Sequence, residues 1–107
     1  MRTEEAFDAL AQRLVDADAD ERVERGRIMH SEGLRTAGRF FAFLRHDELV
    51  LKLPADRVRE LLADGVGRPF DAGKGRPMKE WICVGSGEQA DWGAYASEAR
   101  EFVASSG

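Results

Sequence analysis

The side chains with the range for proton or metal chemistry are one thiol, two imidazoles and 20 carboxylates. A nucleophilic cysteine needs a lowered pKa, partial exposure and a base beside it. Cys83 instead lies between Ile82 and Val84, where a cysteine reads as a buried core residue. As the single cysteine, it forms no intrachain disulfide. His30 and His46 lack metal-ligand spacing, and a zinc site would need them to converge with Cys83 or a carboxylate. Both read as exposed turn residues. The carboxylates are spread along predicted helix faces, with no pair set apart for general acid–base work. The expectation is a non-enzymatic chain with no catalytic residue, no metal ligand and no cofactor site.

Two segments imitate phosphate loops. Gly73-Lys74 has the end of a Walker motif, but Arg68 and Gly75 stand where that motif needs Gly and Ser or Thr. Gly85-Ser86-Gly87-Glu88-Gln89-Ala90 spells a dinucleotide fingerprint ending in Ala. That unit needs a following strand and an acid about 20 residues on, and the chain ends too soon. Both read as turns. The segment Gly67–Trp81 is more informative. It carries Arg68, Lys74, Arg76 and Lys79 against Asp71 and Glu80, with Trp81 at its base. A basic loop beside an aromatic suits phosphate contact and base stacking. Arg39, Arg45 and Lys52, on neighbouring predicted strands, extend the positive area. Arg68, Lys74, Arg76, Lys79 and Trp81 are therefore the candidate interaction surface. The plainer reading is a structured loop whose Met78 and Trp81 help close the core.

The elements that must position these residues follow from periodicity. Residues 1–17 read as a helix capped by Thr3, with Phe7, Leu10 and Leu14 on one stripe. A charged connection ends at Gly26, and Arg27–His30 is a short extended segment before a turn at Ser31–Gly33. Leu34–Thr36 and Arg39–Arg45 are strands separated by Ala37–Gly38, and Leu49–Leu53 alternates as a half-buried strand does. Pro54 opens a helix that Gly65 stops. Arg68–Lys79 is an extended loop with a short strand at Pro69–Asp71; Glu80–Val84 is a strand and Ala90–Ala104 a helix. The sum is a single α+β domain over 1–107, a two-layer sandwich. Its mostly antiparallel sheet of about five strands carries helices on one face. Phe40, Phe41 and Phe43 cannot share one face of a simple alternating strand, so one of them covers a helix or a second copy of the chain, and a homodimer is expected.

Apolar residues make up 43% of the 107 and the formal net charge is −4. That composition folds and excludes a general polyanion binder, whose affinity comes from clustered bases. The charge is uneven. Residues 1–25 hold 4 bases and 8 acids, residues 26–87 hold 11 and 8, and residues 88–107 hold 1 and 4. No apolar run approaches the ~20 residues of a membrane span, and the N-terminus lacks a signal-peptide pattern. A cytoplasmic protein with no membrane partner is expected.

Several segments occur in a familiar order: Ile28-Met29, Gly33-Leu34, Gly38-Arg39-Phe40-Phe41-Ala42, Leu49-Val50-Leu51-Lys52-Leu53-Pro54, and Gly75-Arg76-Pro77-Met78-Lys79-Glu80-Trp81. Over about residues 5–104 the chain resembles the N-terminal domain of the bacterial TfoX/Sxy family. His30 and Ser31 stand where that family usually reads Phe-Gly after the Met. The fold is also similar to the YjbR-like group, for which DNA binding through wing-like hairpins has been proposed. The resemblance implies an interaction or regulatory module linked to transcription, acting with a protein partner and without the family's C-terminal helical domain. The alternatives are weak nucleic-acid binding through the basic loop and a small-molecule-binding domain.

Overall fold

The computed structural model describes residues 2–17, 23–28, 30–71, 75 and 78–105. Helix α1 (Thr3–Ala17) is followed by four strands, β1 (Val23–Ile28), β2 (Ser31–Thr36), β3 (Arg39–Arg45) and β4 (Glu48–Lys52). Helix α2 (Ala55–Ala63), strands β5 (Arg68–Pro69) and β6 (Trp81–Gly85), a 3-10 turn over Ser86–Asp91 and helix α3 (Trp92–Ser105) complete the chain. All six strands form one antiparallel sheet, in the order β1-β2-β3-β4-β6-β5. The architecture is α+β with helices packed on one face. The sixth strand is the two-residue edge β5.

Helical and strand periodicities meet in the main core. Phe7, Leu10 and Ala11 of α1 and Trp92, Ala96, Ala99 and Val103 of α3 bury one stripe each. They cover Leu34, Ala42, Leu49, Leu51, Ile82 and Val84, and Val58 and Leu61 of α2 join them. Each fully buried apolar side chain contributes roughly 1.5–3 kcal/mol, so this layer dominates stability. The Trp92 indole N–H donates to the Gly85 carbonyl at 3.1 Å and fixes the start of α3 to the end of β6. The bidentate Arg57–Glu98 pair, at 2.8 and 3.2 Å, ties α2 to α3. Arg25 ties β1 to α1, with its guanidinium 2.8 Å from Asp8 and over the Phe7 ring.

The three phenylalanines of β3 are reconciled within one chain. The register between β2 and β3 shifts between Leu34 and Arg35, so Leu34 faces Ala42 while Arg35 faces Phe40. This bulge leaves Phe41 in the main core with Ala42 and sends Phe40 and Phe43 to the other face.

Four local expectations change. The charged segment before Gly26 is already strand from Val23 on, because Gly26 pairs with Gly33 across β1 and β2. For the same reason Ser31–Gly33 is strand, and the reversal sits at His30, whose φ is 64°. Met29 lies outside the described residues. Thr3 is inside α1 rather than capping it, and its hydroxyl donates to the Asp47 carboxylate at 3.1 Å. The strand expected at Pro69–Asp71 is instead the two-residue Arg68–Pro69, so Phe70 and Asp71 follow it outside the sheet.

Candidate functional site

The face of the sheet turned away from the helices carries a second, smaller core. Register places Phe43, Val50, Cys83 and Arg68 in one row across β3, β4, β6 and β5. Phe43, Val50 and Cys83 are buried there together with Phe70, which follows β5. Ile28 and Trp81 pack on this cluster and are half-buried. Phe43 meets Phe70 edge to face, with centroids 5.6 Å apart and planes at 79°. Trp81 lies 5.6 Å from Phe43 and 6.2 Å from Phe70.

Phe40 forms a separate platform. It lies over the cross-strand pair Gly26 and Gly33, and a Cβ on either glycine would come within 3.1 Å of its ring. Missing side chains beneath the ring let it lie on the backbone, which is why two glycines interrupt strands here.

Cations line these rings. Arg35 approaches Phe40 at 6.0 Å, Arg45 lies over Phe70 at 5.5 Å, and Lys52 over Trp81 at 5.7 Å. Arg35 has Glu24 at 3.5 Å. Among the described residues, Arg45 and Lys52 have no carboxylate within salt-bridge distance. The strands place Arg35, Arg45, Lys52 and Arg68 on this face against Glu24 and Glu48. The opposite layer has the reverse sign. Thr3–Ala17 and Ser86–Ser105 hold eight acids, Glu4, Glu5, Asp8, Asp16, Glu88, Asp91, Glu98 and Glu101, against Arg13 and Arg100; α2 is balanced, and the register turns Arg25, Arg27 and Arg39 with Glu32 to this side, which leaves it net acidic. The charges of the described residues are thus polarised across the sheet, and their field draws anions to the helix-free side.

The sequence candidates divide. Trp81 sits within the aromatic cluster, and Arg45 and Lys52 flank it. Arg68 lies on edge strand β5 and is held by Glu48 in a two-pronged pair, with Nε 2.7 Å from Oε2, which raises its already high pKa. Lys79 is exposed in the turn before β6. Lys74 and Arg76 lie outside the described residues, as does the Gly73-Lys74 motif. Arg39 pairs with Thr36, on the helix side of the sheet in register. Arg35, Phe40 and Phe70 are not among the candidate surface residues, although Phe40 is one of the three phenylalanines that could not share a face; the signal that could have placed the first two was the Gly26/Gly33 pair. Cys83 is buried, and desolvation, with Glu48 adding to it, pushes its thiol up to about 11, a setting that keeps it protonated. His30 and His46 are exposed turn residues. Among the described residues no three His, Cys, Asp or Glu side chains group to hold a metal.

A second concavity, of about 330 Å³, lies where α2 meets Pro69 and the turn before β6. Its lining is Val58, Leu62, Pro69, Met78 and Trp81 together with the cations Arg59 and Lys79. Met78 is 41% exposed, so it borders this groove instead of closing the core. No described helix is long and apolar enough to cross a membrane. No protein-family model, curated protein or solved structure matches the chain.

Proposed function

We propose that this chain is a non-enzymatic cytoplasmic interaction module, similar to the TfoX N-terminal domain, that docks a negatively charged partner on the helix-free face of its sheet. The observation that carries the reading is the polarity of the molecule: Arg35, Arg45 and Lys52 beside aromatic rings on one side, eight helix acids on the other. A regulatory role in transcription and a protein partner come from the family resemblance. Nucleic-acid binding, the alternative expected through Arg68, Lys74, Arg76 and Lys79, is served as well by the charge of this face. The α2 groove supports a further reading, a small apolar ligand beside Trp81.

Retention on a heparin column at low salt tests the docking face. By net charge the protein should flow through; by its charged face it should be retained. The double variant Arg45→Glu/Lys52→Glu should lose retention while still unfolding cooperatively, with a transition lowered by the loss of its two cation–ring contacts. Flow-through of the wild type, or equal retention of the variant, would overturn the proposal.

A further inference from the structure

We infer that the partner of the helix-free face is single-stranded nucleic acid, its bases stacking on Phe40 and Trp81 and its phosphates meeting Arg35, Arg45 and Lys52. The inference rests on the docking reading above and goes further by naming the partner. Charge alone would suit any polyanion. What narrows the class is that the two half-exposed rings on this face each carry a cation alongside. An aromatic platform paired with a positive group is what a nucleotide offers partners for, through its base and its phosphate. Antiparallel sheet faces with exposed aromatics serve this purpose in other folds.

Geometry fits a strand laid across the sheet. Phe40 is on β3, Lys52 on β4 and Trp81 on β6, with Lys52 and Trp81 directly paired. Two interstrand steps of about 4.8 Å put roughly 10 Å between the β3 and β6 backbones, with Lys52 on the strand between them, and the Phe40 ring reaches further out, over Gly33 of β2 and Gly26 of β1. Phe40 is fixed by the glycines beneath it and Trp81 by Phe43 and Phe70, so neither ring must be ordered on binding. A duplex keeps its bases stacked inside and cannot use these rings. An acidic protein segment would engage the cations and leave the rings without a matching flat group. The acids of α1 and α3 repel a polyanion from the other layer, confining it to this face.

The test is fluorescence anisotropy of labelled dT12 with the full chain at 25–200 mM KCl, beside a 12-base-pair duplex and polyglutamate. Three phosphate contacts on a single strand give a log–log salt slope near −2, at about 0.7 per contact. Binding should quench Trp81 and leave Trp92, which is 1% exposed, unaffected. Trp81→Leu should weaken dT12 on the order of 5- to 150-fold, the equivalent of one lost stacking interaction. Phe40→Leu provides the second ring should Trp81→Leu disturb folding. Lys52→Ala should reduce the slope by about 0.7. Arg13→Ala, which removes the same charge from the exposed surface of α1, should leave affinity and slope as they are. Duplex or polyglutamate binding as tightly as dT12 would overturn the inference and leave the docking face standing. So would dT12 binding indifferent to Phe40→Leu and Lys52→Ala. Binding of none of the three polymers at 25 mM KCl would overturn both.

Discussion

Replacing Phe70 with alanine probes whether the helix-free face has a packed core of its own. Phe70 follows a strand of only two residues, yet it is 3% exposed. Its ring meets Phe43 at 5.6 Å, Trp81 at 6.2 Å and the Arg45 guanidinium at 5.5 Å. Truncating a buried phenylalanine costs about 3–5 kcal/mol. Within that, an edge-to-face pair accounts for roughly 0.5–1.5 kcal/mol and an exposed cation–π contact for about 0.5–1 kcal/mol. The site lies on the side of the sheet without helices, where water can enter the gap, so the low end, about 3 kcal/mol, is expected. Domains are stable by only about 5–15 kcal/mol. In a chain of this size the loss lowers Tm by roughly 12–20 °C. Urea unfolding followed by far-UV circular dichroism measures the loss. Tryptophan emission adds a local readout, because Trp81 should shift to the red while Trp92, hydrogen-bonded to Gly85, does not. Phe70→Leu, which refills most of the volume, should cost under about 1.5 kcal/mol. A loss below about 1 kcal/mol for Phe70→Ala, with emission unchanged, would refute the second core and remove the support under Trp81.

Three further outcomes follow from the same structure. Gly67→Ala would place a Cβ 2.5 Å from the Cys83 carbonyl oxygen; a backbone atom cannot swing aside, so β5 must move, at about 1–3 kcal/mol, and an unchanged melting curve would contradict that contact. Ala37 sits at φ 52° before Gly38 at φ 81°, the two central residues of a hairpin turn that favours Asn-Gly. Ala37→Asn should therefore raise stability by about 0.5–1 kcal/mol, and a lowered Tm would count against this geometry. The Cys83 thiol ionises near its ordinary value of about 8.5 when unfolded but only at about 11 when folded. Its contribution is complete below the unfolded value and is lost as pH rises toward 11, by roughly 3 kcal/mol. The wild type should lose more stability between pH 8 and pH 10.5 than Cys83→Ala, and parallel losses would exclude the buried thiol as the cause.

The parts of the fold legible in the sequence are those where local pattern and tertiary packing agree. Leu49, Leu51 and Leu53 alternate against Val50 and Lys52, and the structure buries the leucines under the helices. Gly65, at φ 73°, ends α2 where expected, with the Val66 N–H bonding back to Leu61. Of the first hairpin only Arg27–Ile28 and Leu34–Thr36 were legible as extended, because Val-Glu-Arg-Gly-Arg-Ile has weak strand character of its own. Its strand state depends on pairing with β2 and on the Phe40 ring that covers Gly26. The bulge that sorts Phe40, Phe41 and Phe43 is likewise a property of two strands in register. The candidate site divides in the same way. Trp81, Arg45 and Lys52 could be singled out by type and neighbourhood, whereas Phe40, Phe70 and Arg35 join them only through cross-strand placement. The segmental charge counts already located the acids in the terminal helices; the fold adds that both helices lie on one side of the sheet.

The most direct test of the docking face is a residue-resolved map of where an anion binds. In a 15N-labelled sample titrated with a heparin dodecasaccharide, the amides of Arg35, Phe40, Arg45, Lys52 and Trp81, with the Trp81 indole, should shift together and saturate. Those of α1 and α3 should stay in place. Shifts centred on the helices, or none on these strands, would contradict the account.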